Sequence, residues 1–323
     1  MGHRQKAMAL AAVAFGLWMG ASAPVVAQTF PSQTIRIVSP YPAGGLGDIL
    51  PRIVAGGLSE RTGATVITEN IPGASQVIGV ETVMKAKPNG YTLLFASSTS
   101  MGINVASSKS LKYEPMRDFA PIAIAFSTPL YLVVNPRLPV HSVKDLVAYA
   151  KANPGKLSFA SGGTASSNHL AGEMFRELAG VDIFHVPYKG MGPALTDLLG
   201  GHVDMMFAGE GAEQARQGTV RALGVSTATR SLTAPDIPTM QEAGVDGYDL
   251  SIWFGFMAPA GTPEPVIEWL SREILAVLAD PRTKARANGA EITPTTPAEM
   301  GRRIPQDIKM WRKLIEDAHV TLQ

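Results

Sequence analysis

The sequence contains no cysteine, which rules out a disulfide framework and a thiolate metal site and leaves packing to stabilise the fold. Histidine is scarce as well. Of the six, His3 lies in the extreme N-terminal stretch and the others are scattered, with no pair at the helical spacing of a zinc site. No sign of charge dominates: 28 basic and 27 acidic residues give a net charge of +1, so nothing here is built to grip nucleic acid or an anionic membrane surface. After residue 27 no run reaches the roughly eighteen apolar residues of a membrane span. The glycine-rich segments 44–47 and 162–163 match neither a P-loop nor a dinucleotide fingerprint. A nucleophile elbow is missing too, since the nearest approach, residues 224–228, lacks the final glycine.

What is present begins with an export signal. His3, Arg4 and Lys6 form a positive start, residues 7–19 are apolar, and small residues follow, the pattern of a secretory signal peptide. Cleavage after Val25-Val26-Ala27 is the better expectation, because the alternative after Ala23 would leave Pro24 at the new N-terminus. Without Arg4 and Lys6 the mature chain, 28–323, carries one more acid than base. Its localisation is expected to be the periplasm, and its length suits one large or two medium domains.

The organising stretch is 39–48, Ser-Pro-Tyr-Pro-Ala-Gly-Gly-Leu-Gly-Asp. A β-branched run over 34–38 precedes it, and Ile49, Ile53, Val54 and Leu58 follow at helical spacing. A glycine-rich turn into a helix N-terminus can cradle a carboxylate or phosphate, because that end carries unpaired N–H donors and a partial positive charge. It can equally be a bare βα turn, and this stretch alone leaves both open. The order of strand, Gly/Ser loop and helix repeats at 64–69, 70–75 and 77–87, and a third strand at 91–96 ends in Ser97-Ser98-Thr99-Ser100. Such alternation predicts parallel sheets.

The same punctuation recurs later. A strand is expected over 157–161, a loop over 162–167, a helix over 168–179, a strand over 183–186, a loop over 187–192, a helix over 193–199 and a strand over 203–207. Two copies of one architecture imply two lobes. Strands at 131–135 and 251–257, each followed by a proline turn and a helix, place the crossings near 127–130 and 228–234. The first of those helices is capped by Ser142 with Asp145. The last helix opens on the capping box Thr296, Pro297 and Glu299, and Pro305 should kink it. Ligands of open parallel sheets bind beyond the carboxyl ends of the strands, where all these loops lie. Two such lobes would close on a ligand by hinge motion.

Several segments resemble the Bug family, the extracytoplasmic solute-binding proteins of tripartite tricarboxylate transporters. They include Tyr41-Pro42-Ala43-Gly44-Gly45 with Asp48, Glu69-Asn70-x-Pro72-Gly73-Ala74, Pro88-Asn89-Gly90-Tyr91, His185-Val186-Pro187-Tyr188-Lys189-Gly190 and Trp253-Phe254-Gly255. The resemblance spans essentially the whole mature chain. It implies an α/β, two-lobed type II periplasmic-binding-protein fold, each lobe a mainly parallel sheet flanked by helices, with a hinge of two crossing segments. Lobe 1 would hold 28–128 and 230–323, and lobe 2 would hold 129–229.

The same resemblance implies a protein that clamps a small carboxylate, without cofactor or metal, and delivers it as a monomer to one large and one small integral membrane protein. Tyr41, Ala43, Gly44, Gly45, Asp48, Ala74 and Ser75, together with Ser97, would hold the shared carboxylate. Ser161, Thr164, Ala165, Ser166, Tyr188 and Gly190 would read the rest of the ligand. The chain departs from the family at Ser75-Gln76, where many relatives have two glycines, and at Ala208, where they have an aspartate, with Glu210 as a nearby substitute.

The candidate loops hold hydroxyls and glycines and one cation, Lys189, which suits a carboxylate held by neutral donors. Lys189 reads better as a surface residue. His169, beside the serine-rich loop, completes the candidate set, although capping or packing at the helix start explains it better. Tyr188, Met191 and Phe254 could wall an aromatic or medium-chain ligand, or Phe254 could belong to the hinge core. Two further readings remain. A sensor adaptor presenting its ligand to a membrane kinase would share the fold and site, whereas a hydrolase using Ser166 and His169 would need an orienting acid that no motif supplies.

Overall fold

The computed structural model describes residues 30–287 and 289–317; the expected signal segment lies outside them. From Gln33 onward the chain forms one unit built on two sheets. The first stretch gives β1 (Ile35–Ser39), α1 (Leu46–Thr62), β2 (Val66–Asn70), α2 (Val77–Met84), β3 (Thr92–Ser97), a π-helical turn over Thr99–Ile103, the short α3 (Asn104–Ser107) and α4 (Pro115–Asp118), and β4 (Phe119–Pro129). The middle gives β5 (Tyr131–Val134), α5 (Val143–Ala152), β6 (Leu157–Ser161), α6 (Ser167–Ala179), β7 (Ile183–Pro187), α7 (Met191–Gly200), β8 (Met205–Ala208), α8 (Gly211–Arg216) and β9 (Arg221–Val225). The last part gives β10 (Ser251–Pro259), α9 (Glu264–Ala279), α10 (Pro281–Arg286), β11 (Glu291–Ile292) and α11 (Pro297–Asp317).

The strand order is β11-β4-β10-β3-β1-β2 in one sheet and β7-β6-β8-β5-β9 in the other. This is the two-lobed α/β fold, but both sheets are mixed. Each has a parallel trio, β2-β1-β3 or β7-β6-β8, flanked by a strand of opposite direction, β10 or β5. The reason is topological. The parallel strands point their carboxyl ends at the gap between lobes, and a strand arriving from the other lobe enters from that gap and runs away from it.

The passages between lobes meet at one buried serine. The N–H of Leu130, the single residue between β4 and β5, donates to Ser226 Oγ at 3.0 Å, and Ser226 N–H donates to Leu130 C=O at 2.8 Å. Ser226 Oγ donates to Leu250 C=O at 2.6 Å, and Leu250 N–H returns to Ser226 C=O at 2.8 Å. Residues 238–248 stay with the second sheet: Val225 bridges Thr239, the Tyr248 ring stacks on Phe207 with centroids 5.8 Å apart, and Tyr248 Oη donates to Ala171 C=O. The return passage therefore falls at Leu250, about twenty residues beyond the 228–234 that the matching strand, proline-turn and helix segments suggested. Residues 231–232 do touch the first lobe, through Ser231 Oγ and Leu232 N–H on the Glu291 carboxylate.

The cores follow from the apolar periodicity. Val38, Leu94, Ala96, Trp253 and Met257 meet Met300 and Ile304 of α11 in the first lobe. Tyr131, Ala160, Leu198 and Met206 cluster in the second. The Thr296 and Glu299 box caps α11 reciprocally, and the helix runs on through Pro305 to Asp317. Trp253 Nε1 donates to the buried Asp307 carboxylate at 2.6 Å, and Arg303 holds its other oxygen, which locks α11 onto β10. No described helix is long and apolar enough to cross a membrane.

Ser226→Ala should strand a buried N–H and a buried C=O at the crossing, at a cost of about 2 kcal/mol or more. Thermal melting of the purified protein should show a midpoint lower by several degrees, and an unchanged midpoint would remove the serine from this role.

Candidate ligand cleft between the lobes

The first loop is braced by its own acid. Gly45 stands at the N-cap of α1 with no side chain to cap it, and Asp48 turns back so that Oδ2 accepts from Gly44 N–H at 3.0 Å. Arg52 Nε holds Asp48 Oδ1 at 2.7 Å and its Nη2 reaches Asn70, whose amide donates to Tyr41 C=O. The Gly44 N–H, with help from Asn70 and Arg52, keeps the Asp48 carboxyl below the usual range. Both Asp48 oxygens are thus engaged inside the loop, and the Gly44 donor is used. Ala43, Gly44 and Gly45 are exposed on its crest.

Tyr41 sits beneath. Its ring lies 6.0 Å from that of Phe254, which stacks on Phe95 at 5.6 Å, and burial pushes its hydroxyl up to about 12 against hydrogen bonds with Ser97 and Gln76. A Cβ on Gly47 would fall 2.2 Å from Tyr41 Cγ, so glycine there is a packing requirement. Phe254 is buried and pairs with Ser97 in the sheet, which makes it a core residue behind the cleft.

In the second loop, Gly73 is followed by three non-glycine residues in the left-handed region, Ala74 (φ 45°), Ser75 (φ 50°) and Gln76 (φ 81°). Each costs on the order of 1–2 kcal/mol. Asn104 Nδ2 ties the turn down at Ser75 C=O, 2.7 Å away, and Ser97 Oγ donates to Gln76 Oε1 at 2.9 Å.

Across the gap, 162–166 is propped from behind by a buried polar column. Ser161 Oγ lies 2.6 Å from His185 Nε2 and also accepts from Gly163 N–H. Ala165, with φ 59°, donates its N–H to His169 Nδ1 at 3.0 Å. That bond assigns the proton to His169 Nε2, which faces Glu173 at 3.3 Å, and Arg176 holds Glu173 in turn. The two imidazoles stack with centroids 3.7 Å apart. Burial, and then the neighbouring His169, lower the His185 pKa to about 4. Ser166 caps α6 through the His169 N–H, so its hydroxyl engages His169 through the backbone and not through the ring.

The structure brings Ala74, Ser75, Thr164, Ala165 and Ser166 together around one cavity of about 1010 Å³, with Gln76, Asn104 and Lys109 also on its walls. Tyr41, Ser97, Ser161, His169 and Phe254 lie behind those walls as supports. Tyr188 points away: its hydroxyl donates to Asp197 at 2.7 Å and is pushed up to about 12 by desolvation and by that carboxylate. Gly190 caps α7 and ties back to Gly162 C=O. A second interlobe cavity of about 560 Å³ joins Leu46 and Thr128 to Glu210 and Gln214, and these last two also border an apolar chamber of about 240 Å³ beside Ala208, Met191 and Met206. Among the described residues no three His, Cys, Asp or Glu side chains group as a metal site. The sequence reading missed Gln76, Asn104 and His185 as site components. The non-glycine residues at 75–76 were the available signal for the first.

A profile described as the tripartite tricarboxylate transporter family receptor matches residues 50–320. The chain belongs to that family. It is 36% identical to the protein BugT of Bordetella pertussis over 312 residues, which covers 94% of this chain and 95% of that one. Among solved structures it is similar to R. palustris Rpa4515 with adipate (33% identity, TM-score 0.77, 90% and 99% of the two chains). It is also similar to MatC from Rhodopseudomonas palustris with bound malate (28%, 0.72, 88% and 100%). The family is one of periplasmic substrate-binding receptors.

His185 gives a pH prediction with a definite sign. Between pH 6.5 and about 4 the unfolded chain binds a proton at this position that the folded chain refuses, so stability falls as pH drops through that window. The ceiling is about 3 kcal/mol, reduced because the ring is partly exposed to solvent. Melting curves of His185→Gln should show a shallower decline over the same range than wild type; parallel curves would contradict the assignment.

Proposed function

We propose that this protein is exported by its N-terminal signal, closes its two lobes on a small carboxylate in the periplasm, and delivers it as a monomer to the large and small membrane components of a tripartite carrier. One observation carries the reading. Two short, strained loops on different lobes face each other across a cavity of about 1010 Å³, and the groups they offer are backbone N–H, hydroxyl and amide. Such donors hold a carboxylate by charge-assisted hydrogen bonds, and release does not break a buried ion pair. The adipate and malate in the two similar structures support that ligand class.

In this reading lobe 1 holds 33–128 and the C-terminal part of the chain, lobe 2 holds the middle, and the hinge turns about the Ser226 crossing. The 41–48 and 73–77 loops fix the shared carboxylate, and 161–166 selects the remainder. A binding role without catalysis fits the geometry, because Ser161 and His185 are joined to no acid and His169 is committed to Ala165 and Glu173. The apolar chamber beside Ala208 favours a ligand with a hydrocarbon portion over a short polyhydroxy acid.

A ligand that binds only the folded state stabilises it by about 2.7 kcal/mol at a hundred times its Kd. A thermal-shift screen of adipate, malate, benzoate, glutarate and citrate should therefore raise the melting temperature by several degrees for at least one acid. Silence across the panel would sink the carboxylate reading. In the same screen Ala208→Leu, which fills the chamber, should lower the affinity for adipate relative to malate, and an unchanged ratio would separate the chamber from ligand selection.

A further inference from the structure

Among the described residues fourteen glycines adopt positive φ, a conformation that favours glycine. Among the described residues only four non-glycine residues do so, Ala74, Ser75, Gln76 and Ala165, and all four line the same interlobe cavity. Backbone strain of this kind persists where surrounding structure imposes it, and it gathers at ligand clamps. Two of the four contribute a methyl group and one an exposed hydroxyl. Gln76 alone carries a long polar side chain, at a position where glycine would relieve the strain.

That side chain is held at one end. Ser97 Oγ accepts from Ser100 N–H and donates to Gln76 Oε1 at 2.9 Å, and the Tyr41 hydroxyl joins the same group. Ser97 is fully buried and Tyr41 is fixed by Phe254 and by the close approach of Gly47, so the amide oxygen is anchored in the lobe 1 core. The amide nitrogen turns one hydrogen toward the Tyr41 oxygen, which works against the rise of the Tyr41 hydroxyl, and its second hydrogen meets no acceptor among the described residues. A carboxylate, which accepts and cannot donate, is the complement of that second hydrogen.

We infer that Gln76 contacts the ligand directly, its anchored side-chain amide donating its remaining N–H to the bound carboxylate from the lobe 1 wall of the cleft. The inference rests on the carboxylate-binding reading above and adds to it a specific donor. It explains why the chain tolerates a left-handed glutamine: the strain aims a neutral, rigid donor into the cleft, and neutrality keeps the ligand releasable.

The test is calorimetric titration of the purified mature protein with adipate, malate, benzoate, glutarate and citrate, followed by the tightest of these against three variants. Gln76→Met keeps the backbone strain and approximate volume and removes the donors, so its Kd should rise at least tenfold. Gln76→Glu keeps the shape, turns donors into a carboxylate and should weaken binding further. Gln76→Gly should raise the melting temperature of the ligand-free protein and still lose at least tenfold in affinity, a combination that a merely structural residue would not give. Wild-type affinity in Gln76→Met and Gln76→Gly would overturn the inference while leaving carboxylate binding intact. Failure of the wild type to bind any of the five would instead overturn the functional reading, and this inference with it.

Discussion

Everything in this fold hangs on two chain passages that must cross between lobes without leaving backbone groups unpaired. At the crossing the chain has left one sheet and has not yet joined the other, so the usual ladder partners are missing there, and a buried unpaired N–H or C=O is expensive. Ser226 resolves this with both its backbone and its hydroxyl, pairing Leu130 on one side and Leu250 on the other. The arrangement brings the outgoing and returning strands together at one narrow point. A narrow, fully bonded crossing leaves the ladders of both sheets intact where the chain passes from one to the other.

The direction of those passages shapes the rest. Because β5 and β10 enter their lobes from the gap, each sheet is parallel only on one side, and the loops at the carboxyl ends of β1, β3, β6 and β8 are all delivered to the cleft. Their walls are then stiffened from behind by different means. Lobe 1 uses an ion-paired brace at Asp48, Arg52 and Asn70 together with the Tyr41 and Ser97 cluster. Lobe 2 uses stacked imidazoles over Ser161 and Glu173. Charge is thus spent on supporting the loops, and the surface they present to the cavity is mostly neutral donors.

The glycine-rich stretch 41–48 illustrates how tertiary contacts narrow a local reading. Its glycines and the helix behind it are where the sequence pattern puts them, yet Asp48 occupies one of the donors that the pattern offers a ligand. Whether an acid at the third helical position faces outward or folds back is decided by Arg52 and Asn70, which arrive from the next turn and from the neighbouring strand. Tyr188 is similar. It follows the strand end as expected, but Asp197, one helix later, draws its hydroxyl away from the cavity. Ala74, Ser75 and 164–166 do meet, because their loops are short and the strand ends leave them little choice.

The amino-acid sequence by itself determined the alternation of strands and helices, the presence of two similar lobes, the capping of α11 and the exclusion of disulfides. These follow from periodicity, capping chemistry and composition, which are local or global sums. Only the tertiary structure decided the mixed direction of the sheets, the return passage at Leu250, the pairing of His169 with His185, and the left-handed turn that presents Gln76. Each of these depends on residues distant in sequence meeting at one place, and on buried polar groups finding the partners that burial obliges them to have.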